Sequence, residues 1–280
     1  MADECIHGFD DGMCAVCFPT AEPAVATRSR TVRPKLSRLS DPVRQAGAAA
    51  APSQRATLPP AEEARPFDVA NSRIFHVTHV DNLAGILGAG AVLADGSGAR
   101  PTVDIAAPAA REFRRATSIP GLERTVADYV PFFLTSDAHL WRTLRDGRPD
   151  VRLAANAHER PAADHILVIG TVGKAFGAQG GTPGSVVVTD RDAAVAGGEV
   201  EIEQEEIERL VRRLNRSGQE AALGGAEFLV HGSYPIERVA YIGVATEKVR
   251  DRVRAALKAV GAKPKILVYP RWFRDEETAE

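Results

Sequence analysis

The chain has 280 residues, 44% of them hydrophobic and 26% charged, with a formal net charge of −2. That balance fits a globular domain and gives no chain-wide basis for nucleic-acid binding, so any such surface has to be local. No apolar run approaches the roughly 20 residues that span a bilayer, and the first five residues lack the basic and apolar segments of a signal peptide, which points to the cytoplasm.

All the cysteines fall at the start, in the pattern Cys5-x-His7-x6-Cys14-x2-Cys17. A Cys-x2-Cys pair grips one ion through a tight turn, and Cys5 and His7 can complete a tetrahedron, so residues 1–20 read as a zinc-knuckle-like module with a closed, structural site. Residues 21–70 are rich in Pro, Ala, Ser, Thr and Arg, without sustained periodicity, and read as a disordered linker. Between Arg28 and Arg55 the linker carries seven basic residues against the single acid Asp41. A solvated tether or a weak nucleic-acid contact both fit that imbalance.

The folded body spans 71–274, with 275–280 as a tail. Its first segment, Arg73–Leu87, predicts a short strand carrying His76, a tight exit through Thr78 and His79, and an amphipathic helix over 81–88 capped near Asp81. Such a strand-to-helix corner is suited to hold a polar or anionic ligand. Further strands are predicted at 91–94, 130–134, 165–172, 185–189, 226–231, 238–245 and 265–269. Further helices are predicted at 107–116, 137–145, 203–215 and 246–260. The last two show apolar faces, with Gly218 and Gly261 placed as C-caps. The Gly-rich run from Gly177 to Gly184 reads as a mobile loop. Strands and helices do not alternate regularly, so the fold class is α+β.

Several motifs fall short of their usual chemistry. Gly170-x-x-Gly173-Lys174 lacks P-loop spacing, and no Gly-x-Gly-x-x-Gly follows a strand. His76 and His79 have no third ligand at metal-binding spacing. Other residues keep two readings open. Glu227 interrupts the apolar run Ala226–Val230, either as an edge glutamate or as a catalytic acid at a cleft. Arg111, Arg114 and Arg115 share one predicted helix, as a solvated face or as a phosphate grip. Tyr129 opens an aromatic strand, as core or as the wall of a base or nicotinamide pocket.

Taken in order, Arg73-Ile-Phe-His-Val-Thr-His-Val-Asp-Asn-Leu83, the Arg-rich 111–115 segment, Asp128-Tyr-Val-Pro-Phe-Phe133 and Ala226-Glu-Phe-Leu-Val230 resemble the DarT family over residues 73–245. These are NAD-dependent ADP-ribosyltransferases that modify bases in single-stranded DNA, typically as toxins of toxin–antitoxin pairs. The Cys/His N-terminus and tether resemble those of actinobacterial members.

The resemblance implies an ADP-ribosyltransferase-like α+β core in which NAD is consumed as a substrate. It implies that His76 contacts the adenosine ribose, that Thr78 and Asn82 help seat the dinucleotide, and that Glu227 is the catalytic glutamate. Arg114 is the best match to the active-site arginine. Arg111 and Arg115 remain rivals, because the family's Ile-Lys-x-Arg-Arg pattern reads Ala110-Arg-Glu-Phe-Arg-Arg115 here. Bases would stack on aromatic side chains such as Tyr129, and a macrodomain antitoxin is the implied partner. A transferase acting on RNA or protein, or a non-catalytic nucleic-acid-binding module, are the alternative readings.

Overall fold

The computed structural model describes Phe67–Arg274 apart from Gly180 and Ser217. The expected zinc-knuckle-like module, the linker up to Pro66 and the tail therefore lie outside the described residues. The first half of the body contains β1 (Arg73–His79), α1 (Leu83–Ala89), β2 (Ala91–Leu93), α2 (Pro108–Ala116), β3 (Tyr129–Phe133), α3 (His139–Arg145), β4 (His165–Thr171), α4 (Val172–Gln179) and β5 (Val186–Thr189). The second half adds β6 (Val200–Glu201), α5 (Gln204–Leu214), α6 (Glu220–Gly225), β7 (Glu227–His231), β8 (Ser233–Pro235), β9 (Tyr241–Val244), α7 (Glu247–Val260) and β10 (Lys265–Val268). The mixed α+β class expected from the sequence is the class observed.

Eight strands form one sheet in the order β10-β9-β4-β1-β3-β7-β5-β6, and β2 pairs separately with β8. Neighbours run antiparallel except β9 and β10, which are parallel and connected by α7. The pairing is uneven in a way that matters for function. β1 matches β4 along its whole length, from Arg73↔Thr171 to His79↔His165. β3 matches β7 from Tyr129↔His231 to Phe133↔Glu227. Between these two blocks β1 and β3 share only the pair Phe75↔Phe133. The two halves of the sheet are thus joined at one rung, and beyond it the strand faces are available to line a cleft.

The main core packs one sheet face against helices. Ile74, Phe132, Val168, Phe228 and Ile242 meet Leu83 and Leu87 of α1, Ile207, Leu210 and Leu214 of α5, and Val249, Val253 and Leu257 of α7. Full burial of each such side chain contributes roughly 1.5–3 kcal/mol before ordering entropy is subtracted. The apolar stripe of α7 is the one its periodicity predicts. Thr246 caps its start by accepting from Val249 N at 3.3 Å, and Gly261 closes it at φ 70°. A smaller cluster of Ile119, Val126, Tyr129, Val187 and Leu229 fills the opposite face. Gly243 is needed on that side, since a Cβ there would lie 2.8 Å from the ring of Trp272.

Local details differ from the sequence expectation. The first helix opens with a 3-10 turn at Val80–Asn82, and its cap is His79 rather than Asp81, with His79 Nδ1 accepting from Asp81 N. α5 is capped by Asn215, so Gly218 sits in the following turn at φ 85° rather than at the cap. α4 takes up the start of the Gly-rich stretch, including Gly177. α6 (Glu220–Gly225) is a helix absent from the sequence expectation. Gly224 allows α6 to approach α3, because a Cβ would come within 2.5 Å of His139 Nε2.

Candidate active site

The single rung between β1 and β3 lies beside a cavity of about 1230 Å³. His76, Thr78, Asn82, Arg114, Asp192 and Glu227 all line it. Three separate segments deliver the charged groups. Glu227 is the first residue of β7, where a strand of buried residues holds it at 5% exposure. α2 brings the arginines, starting at Pro108, whose fixed φ suits the first helical turn. Asp192 and Ala193 come from the connection between β5 and β6.

Burial of Glu227 without a partner would be costly, and the fold supplies one. Arg114 Nη1 donates to Glu227 Oε1 at 3.1 Å and Nη2 to Oε2 at 3.0 Å. This is the two-pronged geometry that a guanidinium forms best with a carboxylate. Nη1 also reaches Asp192 Oδ1 at 3.4 Å, and Ala193 N approaches Glu227 Oε2 at 3.5 Å. Arg152 closes the network by binding Asp192 Oδ2 at 3.2 Å and both oxygens of Asp150. Burial alone would favour losing the Arg114 charge. The attraction and hydrogen bonds of Glu227, with Asp192 behind them, outweigh it and raise its pKa.

The other arginines of α2 do different work. Arg111 clamps Asp104 through Nε at 3.0 Å and Nη2 at 2.6 Å, and also pairs with Asp95. Arg115 pairs with the second oxygen of Asp95 at 2.5 Å. Both therefore hold the 95–104 segment against α2. Of the three candidates, Arg114 alone bonds to Glu227.

His76 sits where β1 leaves its single contact with β3. Its Nδ1 lies 2.8 Å from the carbonyl of Pro131. Desolvation lowers its pKa and that bond only partly offsets the effect, so the ring is neutral near pH 7. A carbonyl can only accept, so Nδ1 carries the proton and Nε2 is left as an acceptor.

Asn82 is committed inside the protein. Its Nδ2 donates to Thr78 Oγ1 at 3.0 Å and to Val103 O at 2.9 Å, while its Oδ1 accepts from Val103 N at 2.8 Å. It shapes the cavity by fixing the 95–106 segment, a role the sequence did not suggest.

Two expectations change here. Tyr129 borders the cavity, but it is 1% exposed and its hydroxyl donates to Gly184 O at 2.7 Å. A ring packed in this way offers no face to a base, so the stacking expected of Tyr129 is corrected. His79 does not line the cavity. It is buried beside His165, ring edge to ring face at 5.3 Å. Asp192, Arg152, Asp95 and Asp104 complete the charged framework and were not singled out in the sequence. They lie in irregular connections, where no periodicity marks a facing residue. Among the described residues, no group of three or more His, Cys, Asp or Glu is placed to hold a metal.

A family model described as "ssDNA thymidine ADP-ribosyltransferase, DarT" matches residues 75–274. The chain is 27% identical over 211 residues to a DNA ADP-ribosyl transferase of Mycobacterium tuberculosis, covering 71% of this chain and 88% of that protein. It is 25% identical over 209 residues to a DNA ADP-ribosyl transferase of a Thermus species, covering 71% of this chain and 95% of that protein. The fold is similar to that of Thermus sp. 2.9 DarT in complex with ADP-ribosylated single-stranded DNA, with a TM-score of 0.61, 22% identity, and coverage of 72% of this chain and 96% of that one. The buried carboxylate–guanidinium pair thus stands within a matched region of 200 residues, and the chain belongs to the DarT family of DNA ADP-ribosyltransferases.

Proposed function

We propose that the chain transfers ADP-ribose from NAD to a base of single-stranded DNA, with Glu227 as the catalytic carboxylate and Arg114 as the group that orients it. The single observation that carries the residue assignment is the two-pronged Arg114–Glu227 contact on the wall shared with His76. NAD suits this wall chemically. Its ribose hydroxyls need acceptors, and the His76 Nε2 and the Glu227 carboxylate offer them. Thr78 and Asn82 keep that wall in shape.

In the reaction, the bond between the nicotinamide nitrogen and ribose C1′ breaks, and its electron pair leaves with nicotinamide. Positive charge develops on the sugar, and the buried carboxylate of Glu227 stabilises it where it forms. A low-polarity wall makes that attraction stronger than it would be in water. A ring nitrogen of the base then bonds to C1′ and releases its proton to water. The family description names thymidine, whose only ring N–H is N3, and we assign that nitrogen as the acceptor. On the ligand spacing alone, we propose a structural zinc site at Cys5, His7, Cys14 and Cys17. A macrodomain antitoxin is the partner we propose from the family.

The test is a panel of acceptors incubated with labelled NAD. The proposal expects label on single-stranded DNA containing thymidine and none on RNA or added protein. Label confined to RNA or protein would overturn the DNA assignment, and Cys14→Ser should remove zinc while leaving transfer intact.

A further inference from the structure

Exposed large hydrophobic side chains that share the lining of one cavity mark a candidate binding surface. Six are exposed among the described residues, and four of them, Leu93, Phe113, Val151 and Val195, line the same cavity as Glu227. They come from four separate segments of the chain, so no single helix face explains them. Phe113 is 56% exposed, Val151 90% and Val195 54%. Phe113 immediately precedes Arg114 on α2, and Arg114 lies on Glu227. The exposed ring is therefore one residue along the helix from the reacting carboxylate's partner.

We propose that Phe113 is the platform on which an unpaired base of the DNA strand stacks in the cleft, with Val151 and Val195 as further exposed apolar residues of the same lining. The inference rests on the transferase function proposed above and adds the residue that seats the acceptor strand. Base–aromatic stacking is available to every base, because each has a flat π-face, and it is available only when the base is unpaired. An exposed phenylalanine lining the cleft therefore selects single strands over duplex without reading sequence. The buried Tyr129 cannot play this part, since its ring lies within the smaller core cluster. NAD has its polar partners along His76 and Glu227, whereas the exposed apolar side chains of the same lining suit the flat face of a base.

Phe113→Trp gives a direct readout. The protein has two tryptophans, Trp141 and Trp272, at 2% and 5% exposure, so the new indole is the solvent-exposed emitter. Adding a thymidine-containing single strand should quench it, while the same sequence as duplex, or NAD alone, should not. In steady state, Phe113→Ala should raise KM for the oligonucleotide about tenfold and leave KM for NAD unchanged. Phe113→Tyr should restore the wild-type value.

Quenching by NAD alone would overturn the platform and place the ring against the dinucleotide. So would an unchanged oligonucleotide KM in Phe113→Ala, or unmoved emission from the introduced indole under conditions where fluorescence anisotropy shows the strand bound. Wild-type protein that neither binds nor modifies the oligonucleotide would overturn the DNA reading and the platform together. Binding without an effect at Phe113 would overturn the platform alone.

Discussion

Arg114 and Glu227 meet as a two-pronged ion pair although they stand 113 positions apart in the sequence. The contact joins α2 to the first residue of β7 and holds the carboxylate at the cavity wall in one orientation. A catalytic carboxylate gains most from a fixed position, because the transition state then requires no reorganisation. The same pair offsets part of the cost of burying the charge of Glu227. Structure, and in the role proposed for Glu227 also chemistry, thus depend on one contact.

Arg114→Ala should reduce transfer about a hundredfold or more and lower stability by about 2–4 kcal/mol, since it leaves a buried carboxylate short of its main partner. Arg114→Lys keeps the charge but lacks the fork, and should recover stability better than activity. Arg115→Ala, which removes a half-exposed partner of Asp95, should stay near wild type in both. Transfer rates and urea denaturation of the three variants check this.

Asn82→Ala should raise KM for NAD more than it lowers kcat. It deletes two hydrogen bonds to Val103 and one to Thr78 of β1, and should cost about 1–3 kcal/mol. Asn82→Asp should be no better, because a carboxylate cannot donate to Val103 O. Hydrogen exchange over residues 95–106 would report the loosened segment.

Acid should destabilise the domain through its buried imidazoles. Burial pushes His165 down from the ordinary histidine value near 6.5 to about 4, against its bond to Pro161 O. His79 is lowered by burial too. Nε2 of each ring has no hydrogen-bond partner among the described residues. The unfolded chain therefore takes up these protons first. Above about pH 6.5 both states are neutral and stability is unaffected by them, then it falls as pH drops from about 6.5 to about 4. His165 alone accounts for about 3 kcal/mol across that window. The thermal midpoint should show this acid slope, and His165→Phe should flatten it.

Much of this fold could be read from periodicity. The apolar faces of α5 and α7 and most strands appear in the sequence because burial repeats at regular spacing. α4 and α6 escape that reading, since Gly173, Gly177, Gly224 and Gly225 weaken their helical signal. Their glycines answer to neighbours instead: a Cβ at Gly173 would lie 3.0 Å from Ala70 O. The site was legible to the level of residue type. Glu227 stood out as a charge in an apolar strand, and three arginines stood out on one helix. Which arginine faces the glutamate was not legible. Asp95 and Asp104, from the segment that precedes α2, engage Arg111 and Arg115, while Arg114 pairs with Glu227. The burial of Tyr129 and the exposure of Phe113 escaped for the same reason, because an aromatic side chain gives no sign in sequence of which side it will present.

The most direct test is transfer by Glu227→Gln. Glutamine keeps the shape and can still accept from Arg114, so the variant should unfold at a temperature close to that of the wild type. With labelled NAD and thymidine-containing single-stranded DNA, the wild type should label the DNA. The folded variant should lose at least about two orders of magnitude in rate. A folded Glu227→Gln protein that labels DNA at the wild-type rate would contradict the assignment of this carboxylate to catalysis.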